Sequence, residues 1–163
     1  MIYKNKRVEW VYDKQEGLKM LRFTNFENLR PKPPIKGSPQ SAGYDVHNLN
    51  DLDIKENQRV LVDTGLMLTD CPRGTYLRIA PRSGLSVKGF DIGAGVIDSD
   101  YRGHIKVLLI NNSGSDKIFE KGTRIAQFIP TMLCSLDTHF NDDLISKSVV
   151  SSRKDGGFGS TGN

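Results

Sequence analysis

The chain has 163 residues, 37% of them hydrophobic and 26% charged, enough for one domain with a real core and too few for two ordinary ones. That balance excludes a wholly disordered, collagen-like or membrane-class protein, and no apolar run approaches the roughly 20 residues that a helix needs to cross a bilayer. The formal net charge of +4 invites a polyanion, but residues 1–36 hold nine Lys or Arg against four Asp or Glu while the remainder is nearly balanced, so the basic character belongs to an amino-terminal arm.

Residues 1–7 lack the apolar stretch of a secretory signal, so an intracellular location, cytoplasmic or nuclear, is expected. Residues 1–17 read as a basic extension in which Glu9, Asp13 and Glu16 break up the positive charge. Such mixed signs suit a solvated arm with weak contacts to nucleic acid at most, not stable binding. From Leu18 to residue 150 the chain breaks into short runs of branched and aromatic residues punctuated by Gly, Pro, Asn, Asp and Ser. Strands are predicted over 19–23, 43–47, 59–63, 65–68, 75–80, 94–98, 104–110, 117–119, 124–128 and 132–135. Within 75–80, Leu77 and Ile79 fall on one face and Tyr76 and Arg78 on the other, the period of a half-buried strand. Pro31, Pro33, Pro34 and Pro39 make 29–41 an extended surface connection. A turn or two of helix is expected over 83–88, and no longer window keeps helical periodicity. Many short strands imply an all-β sandwich or barrel. Residues 151–163 have four glycines, one aromatic and no core pattern, and read as an arm that cannot order by its own burial. Cys71 and Cys134 lack disulfide or zinc spacing, and buried reduced thiols are expected.

Five stretches combine glycine with polar or charged residues between strands, where backbone amides and side chains can converge on a ligand: 42–45, 81–86, 95–103, 122–127 and 153–162. In Arg82-Ser83-Gly84 a guanidinium, a hydroxyl and a permissive backbone stand at the start of the short helix, which suits a phosphate or, equally, an ordinary type I turn with an ion pair. The tail offers Arg153, Ser160 and Thr161 as donors, Gly156, Gly157, Gly159 and Gly162 for close approach, and Phe158 to stack on a base. By composition alone it also fits a linker, and it contains no Walker A pattern. Asp98 ends the apolar run Gly95-Val96-Ile97, from which a carboxylate can act as a base, although Asp98-Ser99-Asp100 also suits a turn. Tyr101 can pack on a sugar or cover a sheet edge. His47, His104 and His139 are far apart, which leaves a histidine nucleophile or a histidine-rich metal site little support.

In this order and spacing the five stretches resemble the five motifs of the trimeric dUTPase family, over about residues 19–162. The resemblance implies a jelly-roll-like distorted β-barrel with one short helix, the carboxy-terminal arm being exchanged between subunits of a homotrimer, and hydrolysis of dUTP to dUMP and pyrophosphate. It implies Asp98 as the base that activates water for attack at the α-phosphorus, and Tyr101 under the deoxyribose, leaving no room for a 2′-hydroxyl. The hairpin around Gly93, Ala94, Gly95 and Val96 corresponds to the uracil slot, and Arg82, Ser83, Gly84 and Gln127 to contacts with the phosphate chain. Arg153, Phe158, Gly159, Ser160 and Thr161 correspond to the closing arm. Asp45 corresponds to a supporting carboxylate near Mg²⁺, the ion itself being held mainly by triphosphate and water.

Lys154 stands where that family commonly has glycine, and Val46-His47-Asn48 departs from its usual first motif; neither change removes a reacting group. The related dCTP deaminases need a glutamate on the strand after the third motif, where this chain has Leu108. A nucleotide-gated regulator that has lost hydrolysis would be expected to lack Asp98 or the tail, and both are present.

Overall fold

The computed structural model describes Val8 and Glu9, residues 21–134 and residues 136–137. Within them lie β1 (Val8–Glu9), β2 (Arg22–Asn25), β3 (Ile35–Lys36), β4 (Tyr44–His47), β5 (Leu52–Ile54), β6 (Arg59–Asp70), β7 (Thr75–Ala80), α1 (Ser83–Ser86), β8 (Phe90–Gly93), β9 (Val96–Ile97), β10 (His104–Asn111), β11 (Lys117–Phe119) and β12 (Arg124–Met132). One five-stranded sheet runs β1-β2-β6-β10-β8, a second runs β3-β4-β12-β7-β9, and β11 pairs with β5. Every pairing is antiparallel. The two sheets face each other as a distorted jelly roll.

The core follows from the alternation. Val62, Leu66, Leu68, Ile105, Val107 and Leu109 of the first sheet and Val46, Leu77, Ile79, Ile125 and Phe128 of the second are buried in a single cluster. Phe23 of β2 and Phe128 of β12 stack across the layers with centroids 5.6 Å apart. Each such side chain contributes about 1.5–3 kcal/mol by leaving water.

The expected strands over 59–63 and 65–68 join into the twelve-residue β6. What separates them in the sequence is a bulge: Lys106 pairs with Asp63 and Ile105 with Leu66, leaving Thr64 and Gly65 extra. Gly65 takes φ +73°, a conformation that side chains disfavour. The polar groups freed there find partners. Thr64 Oγ1 donates to the Ile105 carbonyl at 2.6 Å and accepts from the Leu66 amide at 3.2 Å, and the Gly65 amide donates to His104 Nε2 at 3.1 Å.

Likewise β12 runs from 124 through to Met132, absorbing the start of the strand expected over 132–135; Leu133 and Cys134 follow it without strand structure, and Ser135 lies outside the described residues. Pro130 is tolerated because at that point β12 pairs only with β7, β4 having ended its pairing at Phe128, so no neighbour misses the absent N–H. The connection over 29–41 is less superficial than expected: Ile35 and Lys36 pair with β4, and Pro34 is fully buried. β5 and β8 escaped the periodicity because three or four residues are too few to show it; pairing with β11 and β10 makes them strands. The helix expected over 83–88 is a single turn, followed by hydrogen-bonded turns to Gly89 at φ +82°. Cys134 corrects the buried-thiol expectation. It is exposed beyond the last pairing, in which the Leu133 amide donates to the Gly74 carbonyl, while Cys71 is half-buried with Sγ 3.3 Å from Thr75 Oγ1; both are free.

Candidate functional site

A cavity of about 340 Å³ opens where β7, β9 and β10 meet, and Asp98, Tyr101, Ala94, Val96, His104 and Lys106 are among its lining residues. The segment that carries Asp98 is held by a local hydrogen bond. After β9 the chain reverses in a turn closed by the Tyr101 amide on the Asp98 carbonyl at 3.1 Å, which sets the carboxylate and the phenol on one short arc. Tyr101 Oη then donates to the His104 carbonyl at 3.0 Å, and a side chain at Gly103 would run into that hydroxyl. Tyr101 is therefore folded back along its own loop, lines the cavity and is 44% exposed.

The hairpin expected around residues 93–95 is a corner. β8 pairs with β10 in one sheet and β9 with β7 in the other, so Ala94 and Gly95 carry the chain between layers. Ala94 makes the turn at φ +49°, unusual for a residue with a side chain. Gly93 lies against Leu108, and Gly95 lies so near β7 that a Cβ there would stand 2.5 Å from the Ile79 carbonyl oxygen. The Ile79 amide donates to the Gly95 carbonyl at 2.7 Å. The corner is thus packed closely against β7 and β10, and Ala94 and Val96 of it line the cavity. Leu108, the register partner of Gly93, is half-buried and lies over that glycine.

A second cluster gathers around Asp45. Arg82 Nε donates to one carboxylate oxygen at 2.9 Å and Arg124 Nη1 to the other at 3.1 Å, with the Asp45 side chain only 15% exposed. Arg82 Nη1 also reaches the Arg124 carbonyl at 3.4 Å. Gln127, register partner of Asp45, donates from Nε2 to the Pro81 carbonyl at 2.9 Å and so braces the loop that presents Arg82, Ser83 and Gly84 at the start of α1. Gly43 is bare because a Cβ would collide with Gln127. Two arginines sharing one acid leave further guanidinium N–H groups free to meet phosphate. His47, buried at the end of the same strand, has an unpartnered Nδ1. Burial first, and then the charge of Lys32, holds its imidazole below the ordinary value of 6.5.

The structure thus brings Ala94, Val96, Asp98 and Tyr101 to one cavity and Asp45, Arg82 and Gln127 to one cluster, and no residue of that cluster lines the cavity among the described residues. Arg153, Phe158, Gly159, Ser160 and Thr161 lie outside the described residues, as do residues 1–7 and 10–20. The sequence reading missed Arg124, although it sits in the fourth glycine-containing stretch, and it missed His104, whose isolation in sequence gave no signal.

The dUTPase family model matches residues 31–162. A deoxyuridine 5′-triphosphate nucleotidohydrolase of Arabidopsis thaliana is 48% identical over 130 residues, covering 79% of this chain and 75% of that protein. Its counterpart from Paramecium bursaria Chlorella virus 1 is 45% identical over 130 residues, covering 79% and 89%. The structure of the Staphylococcus bacteriophage 80alpha dUTPase with dUpNHpp superposes with a TM-score of 0.75 at 21% identity, covering 88% of this chain and 98% of that one, a likeness of fold. On the family match and the identity to these nucleotidohydrolases, the chain belongs to the dUTPase family.

Proposed function

We propose that this chain hydrolyses dUTP to dUMP and pyrophosphate, with Asp98 drawing a proton from the water that attacks the α-phosphorus. The observation that carries the reading is that Asp98 and Tyr101, held in one turn, line the same cavity as Ala94 and Val96 of the corner. A base needs a fixed platform, a sugar needs a flat face, and a uracil edge needs amide and carbonyl groups at a set spacing. The corner over 93–96 supplies the last, Tyr101 the second and Asp98 the first. Arg82, Ser83, Gly84 and Gln127 hold the phosphate chain.

Asp45 has both oxygens engaged by arginine, which suits a cation that arrives on the nucleotide. Asp45 then acts by orienting Arg82 and Arg124. When bound, Mg²⁺ would supply charge neutralisation of the triphosphate.

A homotrimer completes the site. The separation of the phosphate cluster from the cavity supports it, because another copy can bring its cluster to this cavity. So does the outer face of the first sheet, where Leu61 is 62% exposed and pairs with Leu108. In this organisation residues 1–17 are an extension, 18–150 the barrel, and 151–163 an arm that orders over the nucleotide, with Phe158 on the uracil and Arg153 on the γ-phosphate. No helix among the described residues is long and apolar enough to cross a membrane.

The test is pyrophosphate release from dUTP, UTP, dTTP and dCTP with Mg²⁺ by the full chain and by Asp98→Asn. Release from dUTP alone is expected, falling by about 10²–10⁴-fold in the variant. Equal, negligible release by both proteins would refute hydrolysis and favour a nucleotide-binding module.

A further inference from the structure

His104 lines the cavity without any role in the chemistry above, yet its side chain is among the most fully engaged there, at 14% exposure. Its imidazole is stacked on Phe26 with centroids 4.6 Å apart and planes 13° from parallel. Its Nε2 accepts the Gly65 amide at 3.1 Å, and Nδ1 lies 3.9 Å from Asp63 Oδ1. Gly65 in turn accepts the Phe26 amide at 2.8 Å, so Phe26, Gly65 and His104 close a ring of contacts around the β6 bulge. Because a backbone N–H occupies Nε2, the neutral imidazole carries its proton on Nδ1, toward Asp63.

The position of this clamp matters. The ladder between β6 and β10 is interrupted between Ile105 and Lys106, so His104 and Ile105 pair with β6 separately from the rest of β10. The imidazole ties that isolated piece to the bulge. The same residue's carbonyl receives the Tyr101 hydroxyl at 3.0 Å.

We propose that His104 is a positioning residue for sugar selection: its clamped imidazole fixes the main-chain carbonyl that anchors Tyr101, and thereby sets how much room the cavity leaves beside a sugar's 2′-carbon. This rests on the dUTP reading, in which the Tyr101 ring meets the deoxyribose. A structural clamp alone would affect stability; a clamp acting through Tyr101 must also change the choice between deoxyribose and ribose.

The experiment measures kcat and KM for dUTP and UTP with the full chain, His104→Ala, His104→Gln, Tyr101→Phe, Phe26→Leu and the double variant His104→Ala/Tyr101→Phe. His104→Ala is expected to lower the dUTP-over-UTP ratio of kcat/KM about tenfold, since a missing anchor of one hydrogen bond is of that order. Tyr101→Phe should do the same. The double variant should lose no more than either single one, because both break one connection. His104→Gln, whose amide oxygen can accept from Gly65, should restore most of the ratio. Phe26→Leu should lower it in the same direction, and it decides the matter with Tyr101→Phe if His104→Ala does not fold. A parent that hydrolyses dUTP while the ratio stays unchanged in Phe26→Leu and in every folded His104 variant overturns the proposal alone, whatever their melting temperatures. Fully additive losses in the double variant overturn it too. A parent that releases no pyrophosphate from dUTP overturns the functional reading, and the proposal with it.

Discussion

Replacing Gly95 by alanine adds one methyl group at the tightest point between the 93–96 corner and β7. That carbon would stand 2.5 Å from the Ile79 carbonyl oxygen, nearly an ångström inside ordinary contact, and the obstacle is backbone that cannot swing aside. Relief requires the corner to lift from β7, which costs the 2.7 Å bond from the Ile79 amide to the Gly95 carbonyl and strains the pairing of Leu77 with Ile97 and Arg78 with Val96. A lost backbone hydrogen bond costs about 1 kcal/mol and overpacking about 1–3 kcal/mol, so Gly95→Ala should be destabilised by about 2–4 kcal/mol. For a domain of this length that lowers Tm by about 4–16 °C. Asp98 follows three residues later on the same displaced segment. A shift of about 1 Å in a reacting group can cost 10²-fold, and kcat for dUTP should fall on that order even at temperatures where the variant is fully folded. Differential scanning fluorimetry and pyrophosphate release at 20 °C below the variant's Tm measure the two effects. A variant with parental Tm and kcat would show that the corner has slack, and the argument that packing against β7 aims Asp98 would fail.

Asn111 is wholly buried and donates from Nδ2 to the carbonyls of Ile54, Lys55 and Ser115 at 3.2, 3.1 and 2.8 Å while accepting from Ser113. Asn111→Ala strands these buried groups and should cost about 2–4 kcal/mol in urea unfolding with kcat nearly unchanged; a cost below about 1 kcal/mol would mean that water replaces the side chain. His47 is held neutral by burial, so the unfolded chain takes up its proton first as pH falls below 6.5. Its stability contribution is complete above that pH and lost as pH falls toward the lower folded value, and His47→Gln should therefore lose less stability than the parent between pH 7.5 and 5.5. Identical losses, read as urea midpoints, would contradict that assignment. Removing residues 153–163 should leave a folded trimer by light scattering with very low dUTP turnover, and a truncated protein of full activity would rule out the closing arm.

Strand character and the order of the chemistry-bearing stretches could be read in the sequence because both are local. Leu77 and Ile79 alternate with Tyr76 and Arg78 whatever surrounds them, and β7 has the predicted bounds. Asp98 and Tyr101 lie one turn apart, so their proximity needed no fold. What depended on partners was hidden. Thr64 reads as a strand break, and only the unequal pairing with β10 turns Thr64 and Gly65 into a bulge. Residues 94–98 read as one strand, yet β9 spans only Val96–Ile97, and the separate attachments of β8 and β9 make Ala94-Gly95 a corner between sheets. Arg124 joins Asp45 across 79 positions and His104 joins Gly65 across 39. Local alternation records which face of a strand avoids water, but which strands become neighbours is decided by closing the whole core, and it is this closure that brings Phe26, Gly65, His104 and Tyr101 together.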